Sequence, residues 1–550
     1  MKPKRKRDIW LVLGIVLLVL FAVFFIYPCV RLLWEAFYTE ETGLTLKAFS
    51  KFFSKKYYYN TILNSFKVSA AVMLISLLLG VPFSYFFSFY KLKGRKVLFV
   101  LALLCTMSAP FIGAYSWIML LGRKGVITVA LKSIGIEIGS IYGFGGILLV
   151  QSLKLFPLVV IYMNGAFQDI DNSLLEASAN LGCGGVKRFF KVIMGLTMPT
   201  ILAAALIVFM RAFADFGTPA LIGEGYKTFP VLIYDSFLSE VGADYNFASA
   251  VSVLAIILTA AVFLLQKFAT SRFKFTINSL HPIQKKTPNG ASGLLMHAYC
   301  YLLIAVALLP QMYIIVDSFR DYKGQVAQDT YSWSNYQNAV RKLLGRSVKN
   351  TLVISIVALV VIIIIAVLIA YLVVRRPSGL SHTVDTISML PYIMPGAVIG
   401  IALIVAFNNK YFSMTGTMAI MVIALAIRRM PYTSRSATAT MMQIPISTEE
   451  AAISLGASKL KTFIKVTVPQ MTSGIVSGAI LSFVSIITEM SSGIFLYNNS
   501  TITLTLSTYN AITLGSYGTA SAFATVTTLL TIACLVLYLV CTRGSEKMSV

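Results

Sequence analysis

The chain has 550 residues, 57% of them hydrophobic and only 12% charged, with a mean hydropathy of +0.80. Soluble domains carry roughly 25% charged residues, so a soluble globular fold is excluded. The formal net charge of +25 is spread between apolar runs and not gathered in one domain, which suits topogenic loops and anionic lipid headgroups and leaves no basic domain for nucleic acid.

Apolar runs of about 20 residues are long enough to cross a bilayer as helices, and they recur along the whole chain. The first follows the basic start MKPKRKR and covers Ile9 to Ile26. The residues after it, YPCVRLLWEAF, offer no small-x-small cleavage site, so it is expected to be an uncleaved anchor. Further spans are expected at 60–89, 97–121, 143–166, 197–222 and 247–266. A second set follows at 293–316, 350–374, 386–407, 417–441, 470–495 and 518–541. The reading is an all-α polytopic membrane protein with about 12 transmembrane helices. A cytoplasmic N-terminus puts both termini inside, with Lys and Arg in excess on that face. The outer segments 31–59 and 317–349 are themselves basic, and their length implies local structure. Between the two sets lies SRFKFTINSLHPIQKKTPNGAS, a polar stretch with proline and glycine that reads as a linker. The organisation is therefore a first half over 1–275, a cytoplasmic linker over 276–292 and a second half over 293–550.

The six cysteines (Cys29, Cys105, Cys183, Cys300, Cys534 and Cys541) are scattered without CxxC spacing, as are His281, His297 and His382. Neither a disulfide framework nor a metal site is expected. No GxxxxGK[ST] motif occurs, so the chain is not expected to hold ATP phosphates itself. HExxH is also absent, and no catalytic residue is assigned: the protein is expected not to be an enzyme.

Two stretches break the apolar pattern. A shift of 274 residues lays LEASANLGCGGVKRFFKV (175–192) on EEAAISLGASKLKTFIKV (449–466), with eight of 18 positions identical. The same shift pairs Pro157 with Pro431, Ser173 with Ser447, and Asp215 with Glu489. The chain is thus two homologous halves, and an even number of spans per half makes the repeat parallel. Ser173-x-x-Glu176 and Ser447-x-x-Glu450 read as capping boxes. Each would open a short helix ended by Gly182 or Gly456 at positive φ. A second short helix with Lys187 and Lys191, or Lys459, Lys461 and Lys465, would lead back to the membrane. A lone copy could be no more than a capped helix with snorkelling lysines. Two copies at matching points suggest a pair of docking knobs for a two-fold partner.

EAAISLGASKLKTFIKVTVP closely resembles the EAA motif of ABC importer permeases. That resemblance implies the type I importer permease fold, in a prokaryotic inner or plasma membrane. In that family the motif forms a coupling helix that enters a groove on a cytoplasmic ATPase. It implies as partners two copies of a P-loop ATPase subunit, which would carry ATP and Mg, and an extracellular or periplasmic solute-binding protein. Carried over residue by residue, the coupling positions are Glu176, Ala177 and Gly182 in the loop 169–196. In the loop 443–469 they are Glu450, Ala451, Ala452 and Gly456. The first copy departs from the pattern: Ser178 replaces the second Ala, and Gly182 to Pro199 is four residues longer than Gly456 to Pro469. A four-residue insertion is therefore expected after the first motif. ADFGTPALIGEGYKTFPVLIYDSF (214–237) resembles the equivalent segment of ferric-iron, thiamine and phosphonate permeases more loosely. Together with the fusion of both loops on one chain, it makes ferric iron the first guess for cargo, with phosphonate, thiamine and polyamine as alternatives. A secondary transporter with twelve spans is the rival from another class, but it has no use for paired cytoplasmic knobs.

Asp215 and Glu489 fall in apolar surroundings, where a charge is costly unless paired or hydrated. Arg211, four residues before Asp215, could pair with it on one helix face, whereas the matching position before Glu489 is Ser485. Arg211, Asp215 and Glu489 are candidates for a substrate pathway between the halves. Hydrogen bonding between helices is the structural alternative.

Overall fold

The computed structural model describes residues 9–39, 43–107, 109–238, 244–272, 281, 283–408 and 413–541. The basic N-terminal run and residues 276–280 and 282 of the proposed linker 276–292 lie outside the described residues.

Long apolar sequence dictates helices, because a backbone in hydrocarbon must satisfy its own N–H and C=O groups. Among the described residues, eight helices are long and apolar enough to cross a membrane, or eleven if three bent pairs each count as one span. The remaining expected span is the helix Met418–Gln443, which carries Arg428, Arg429 and Arg435 and is correspondingly less apolar. The expected span 386–407 is a pair, Gly379–Ile393 and Gly396–Phe407, bent by 112°. The break falls at Met394-Pro395, where a residue before proline is pushed out of helical geometry. Spans expected at 197–222 and 470–495 stop earlier, at Phe213 and Ile487. Each is followed by a break and a short helix, Gly217–Ile222 or Gly493–Leu496.

The two halves share a scaffold. Lys56–Phe89 packs along Phe144–Gln168 in the first, and Leu344–Arg375 along Met418–Gln443 in the second. Pro157 and Pro431 lie inside the equivalent central helices. Small residues set these contacts, since close approach replaces the hydrophobic drive in a bilayer. A Cβ on Gly80 would stand 2.6 Å from Val159 Cβ, and, where Thr472–Ile487 packs on Met418–Gln443, one on Gly478 would stand 2.7 Å from Thr433 Cα.

The first helix of each half also crosses to the other. Ile9–Phe21 packs on Gly379–Ile393 and Leu344–Arg375, with Trp10 against the rings of Tyr371 and Phe463. Gly290–Asp317 reciprocally packs on Pro110–Leu121. The halves are therefore bound by exchanged helices as well as by their facing surfaces.

Both long segments carry structure, as their length implied. In 31–59 a short hairpin pairs Tyr38–Thr39 with Gly43–Leu44, and the helix Lys47–Ser54 follows. In 317–349 the hairpin Arg320–Lys323 and Val326–Tyr331 precedes the helix Ser334–Lys342. The buried Asp317 carboxylate ties this second hairpin down, accepting from Tyr322 at 2.8 Å and from Ser521 at 2.6 Å.

Candidate functional site

The two polar stretches fold as the same knob. In the first, Asn172–Asn180 ends at Gly182, whose φ is +73°. Gly182 N donates to Ala179 O at 2.9 Å and Cys183 N to Ser178 O at 2.9 Å. In the second, Ile446–Ser454 ends at Gly456 with φ +87°. Gly456 N donates to Ile453 O at 2.9 Å and Ala457 N to Ala452 O at 3.1 Å. This pair of bonds is the Schellman ending, which needs a left-handed residue and so selects glycine. Gly185–Arg188 or Lys459–Thr462 then runs into one turn of π-helix, Phe189–Ile193 or Phe463–Thr467.

The expected capping boxes are not formed. In the first knob Asp171 is the cap, its Oδ1 accepting from Ser173 N at 2.9 Å, so Ser173 lies inside the helix. Asp caps as well as Ser, and it comes two residues earlier. In the second knob the helix starts directly after Pro445, which has φ preset at −62°, and Ser447 is again internal. Glu176 instead accepts from Asn172 Nδ2 at 2.6 Å.

Nor is there a four-residue insertion. The glycines, the π-helical turns, the helix ends Phe213 and Ile487 and the acids all keep the 274-residue offset. Only the proline has moved. Pro199 sits inside the single helix Met194–Phe213, whereas the second return path is bent by 69° between Lys459–Gln470 and Thr472–Ile487.

Glu176, Ala177, Gly182, Glu450, Ala451 and Gly456 are exposed, and Ala452 is half-buried. Beside the glycines stand Leu181 and Leu455, 87% and 90% exposed. The inward position differs between the knobs. It is Leu175 in the first and Glu449 in the second, both buried. Glu449 Oε1 accepts from Arg375 Nε at 2.9 Å, and Arg375 also donates to Ile444 O at 2.6 Å.

Far from the knobs, the helix breaks of both halves meet around a cavity of about 240 Å³. Arg211, Asp215 and Glu489 all line it. The expected Arg211–Asp215 pair is absent, because the helix ends at Phe213 and the i, i+4 geometry ends with it. Asp215 Oδ2 accepts from Gln151 Nε2 at 3.0 Å, and its Oδ1 accepts from Gly217 N at 3.2 Å. Arg211 donates to Tyr432 Oη at 2.9 Å. Glu489 is not short of partners either: it pairs with both Arg428 and Arg429, and accepts from Ser492 N at 3.1 Å. Each acid thus receives a backbone N–H at the start of the short helix that follows, as an N-cap does.

Sequence reasoning missed Lys154, Arg428, Arg429 and Tyr432 at this cavity. The signal was present in ALAIRRMPY, two adjacent arginines within an apolar helix, since intramembrane charges mark function or pairing.

The model of the family described as "Binding-protein-dependent transport system inner membrane component" matches residues 72–274 and 362–543, more than half of the chain. The ferric transport system permease protein FbpB of Actinobacillus pleuropneumoniae is 27% identical over 522 residues, covering 94% of this chain and 75% of that protein. The putative ferric transport system permease protein FbpB 1 of Haemophilus influenzae is 27% identical, covering 89% and 78%. The spermidine/putrescine transport system permease protein PotB of the same organism is 31% identical over 233 residues, covering 40% of this chain and 78% of its own length. With two matched segments, a duplicated helical scaffold and paired EAA-type knobs, the chain belongs to the binding-protein-dependent transport permeases, as a multi-span inner-membrane component.

Proposed function

We propose that this permease moves a small solute inward by alternating access, driven by two copies of a separate P-loop ATPase. One knob enters each ATPase, with Glu176, Ala177 and Gly182 facing one copy and Glu450, Ala451, Ala452 and Gly456 the other. ATP and Mg would be bound by that partner, and no cofactor by this chain. The knobs and both termini then lie in the cytoplasm of a prokaryote, and the segments 31–59 and 317–349 face a solute-binding protein on the other side. The halves 1–275 and 293–550 would be the two moving bodies, joined by 276–292.

The observation that carries this reading is the matched exposure of Leu181 and Leu455, 87% and 90%, each beside a left-handed glycine. Two leucines offered at equivalent tips are apolar anchors of the kind that fill pockets on partners. The helix Gly185–Phe213 would carry the motion roughly 40 Å from the first knob to the cavity, at 1.5 Å per residue. ATPase closure would draw the knobs together and bias a bistable arrangement of the halves.

Ferric iron is the cargo we propose first, because two extensive relatives are named as ferric permeases. Polyamine, phosphonate and thiamine are the alternatives, the first supported by the name of the third relative. The coupling role is tested by purifying the tagged chain from cells that co-express candidate ATPase subunits. Wild type is expected to bring the ATPase with it, and Glu450→Lys combined with Gly456→Pro to lose it. Retention of the ATPase by that variant, or its absence from wild type, overturns the coupling role.

A further inference from the structure

We infer that the cargo crosses the central cavity as an anion carrying oxygen acceptors, and not as a free cation. The inference rests on the permease reading and names the class of solute it admits.

The charges that line the cavity do not balance. Lys154, Arg211, Arg428 and Arg429 stand against only Asp215 and Glu489, an excess of two positive charges. Both carboxylates are already committed. Glu489 is 2% exposed at its side chain and serves two guanidiniums and the Ser492 N–H. Asp215 serves the Gln151 amide and the Gly217 N–H. A naked cation entering here would find its acceptors occupied and would meet uncompensated like charge in a low-dielectric site. Among the described residues, no group of three or more His, Cys, Asp or Glu could hold a metal ion.

The donors are the groups left over. Lys154 is half-buried at the cavity wall and, among the described residues, makes no ion pair or hydrogen bond. Arg211 donates to the Tyr432 hydroxyl and, among the described residues, to no carboxylate. Arg429 Nε is buried and, among the described residues, has no hydrogen-bond partner. Unsatisfied cationic donors inside a membrane are costly until something accepts from them, and an oxyanion does so with charge-assisted bonds. At about 240 Å³ the cavity is smaller than the usual range for drug-sized ligands. It would suit a small oxyanion or a compact chelate. Iron could pass only as an anionic complex, so the ferric cargo proposed above and a phosphonate share one recognition chemistry here.

The test uses the chain purified with its ATPase in lipid nanodiscs, with thermal unfolding followed by tryptophan fluorescence. Methylphosphonate and ferric citrate are the anionic probes, and spermidine is the cationic one. At least one anion is expected to raise the midpoint, and spermidine to leave it unchanged. A shift with methylphosphonate alone identifies a free oxyanion, and a shift with ferric citrate alone identifies a chelate. Lys154→Gln with Arg211→Gln is expected to weaken the apparent affinity about tenfold or more, roughly the loss of one good contact. Arg211→Lys, which keeps the charge, should retain most of the shift. Stabilisation by spermidine, no shift with either anion, or a shift indifferent to the double variant overturns the inference. ATPase that co-purifies while the anions fail leaves the permease reading standing. Absence of the ATPase removes that reading, and the binding result still stands by itself.

Discussion

Asp215 and Glu489 occupy the same place in two copies of one fold, yet they are held in different ways. Asp215 accepts its hydrogen bonds from neutral groups, the Gln151 amide and a backbone N–H. Glu489 sits between two guanidiniums supplied by Met418–Gln443. What the copies share is the backbone event: a helix end, a capped short helix and a return. The charge pairing around that event is free to differ. Duplication here has preserved geometry more strictly than the way charge is paired: each half supplies one of the cavity's two excess positive charges, but only the second half pairs its acid with arginines.

That contrast can be broken most forcefully at the acids. Glu489→Gln leaves Arg428 and Arg429 buried side by side without a counter-charge. Breaking a buried ion pair from one side costs about 3–5 kcal/mol. Asp215→Asn keeps an oxygen that can still accept from Gln151 or Gly217, and is expected to cost about 1 kcal/mol. Thermal unfolding of both variants in detergent checks the ranking. Equal losses would mean that the two acids are held alike after all. A smaller effect sharpens the similarity of the knobs. Gly182→Ala and Gly456→Ala each force a side chain into left-handed backbone, at about 1–2 kcal/mol, and nothing lies within 4 Å of either added Cβ. Hydrogen exchange of Asn172–Asn180 and Ile446–Ser454 should therefore quicken to a similar extent in the two variants. A loss confined to one knob would show that the two glycines carry different loads.

Much of this was legible in the sequence, because it depends on chain-local chemistry. The offset of 274, the glycine stops and the return helices follow from spacing and φ preference alone. Helix starts were less legible: Asp171 and Pro445 compete with Ser173 and Ser447 for the same role, and only the folded path of the chain decides between them. The supposed insertion came from taking a proline as a landmark, although a proline can move along a helix that neighbouring residues support. The partners of Glu489 lie some 60 residues away on another helix, and no local pattern links them. The same holds for Arg375 and Glu449, which join the end of one span to the inward face of the second knob.

Coupling as proposed requires that each of the two knobs grip one ATPase. Native mass spectrometry of the detergent-solubilised complex reads this directly. One 60.2 kDa chain is expected to carry two ATPase copies, and Leu181→Asp with Leu455→Asp to leave the chain folded but bare. A complex with a single ATPase, or a double variant that still holds two, would contradict it.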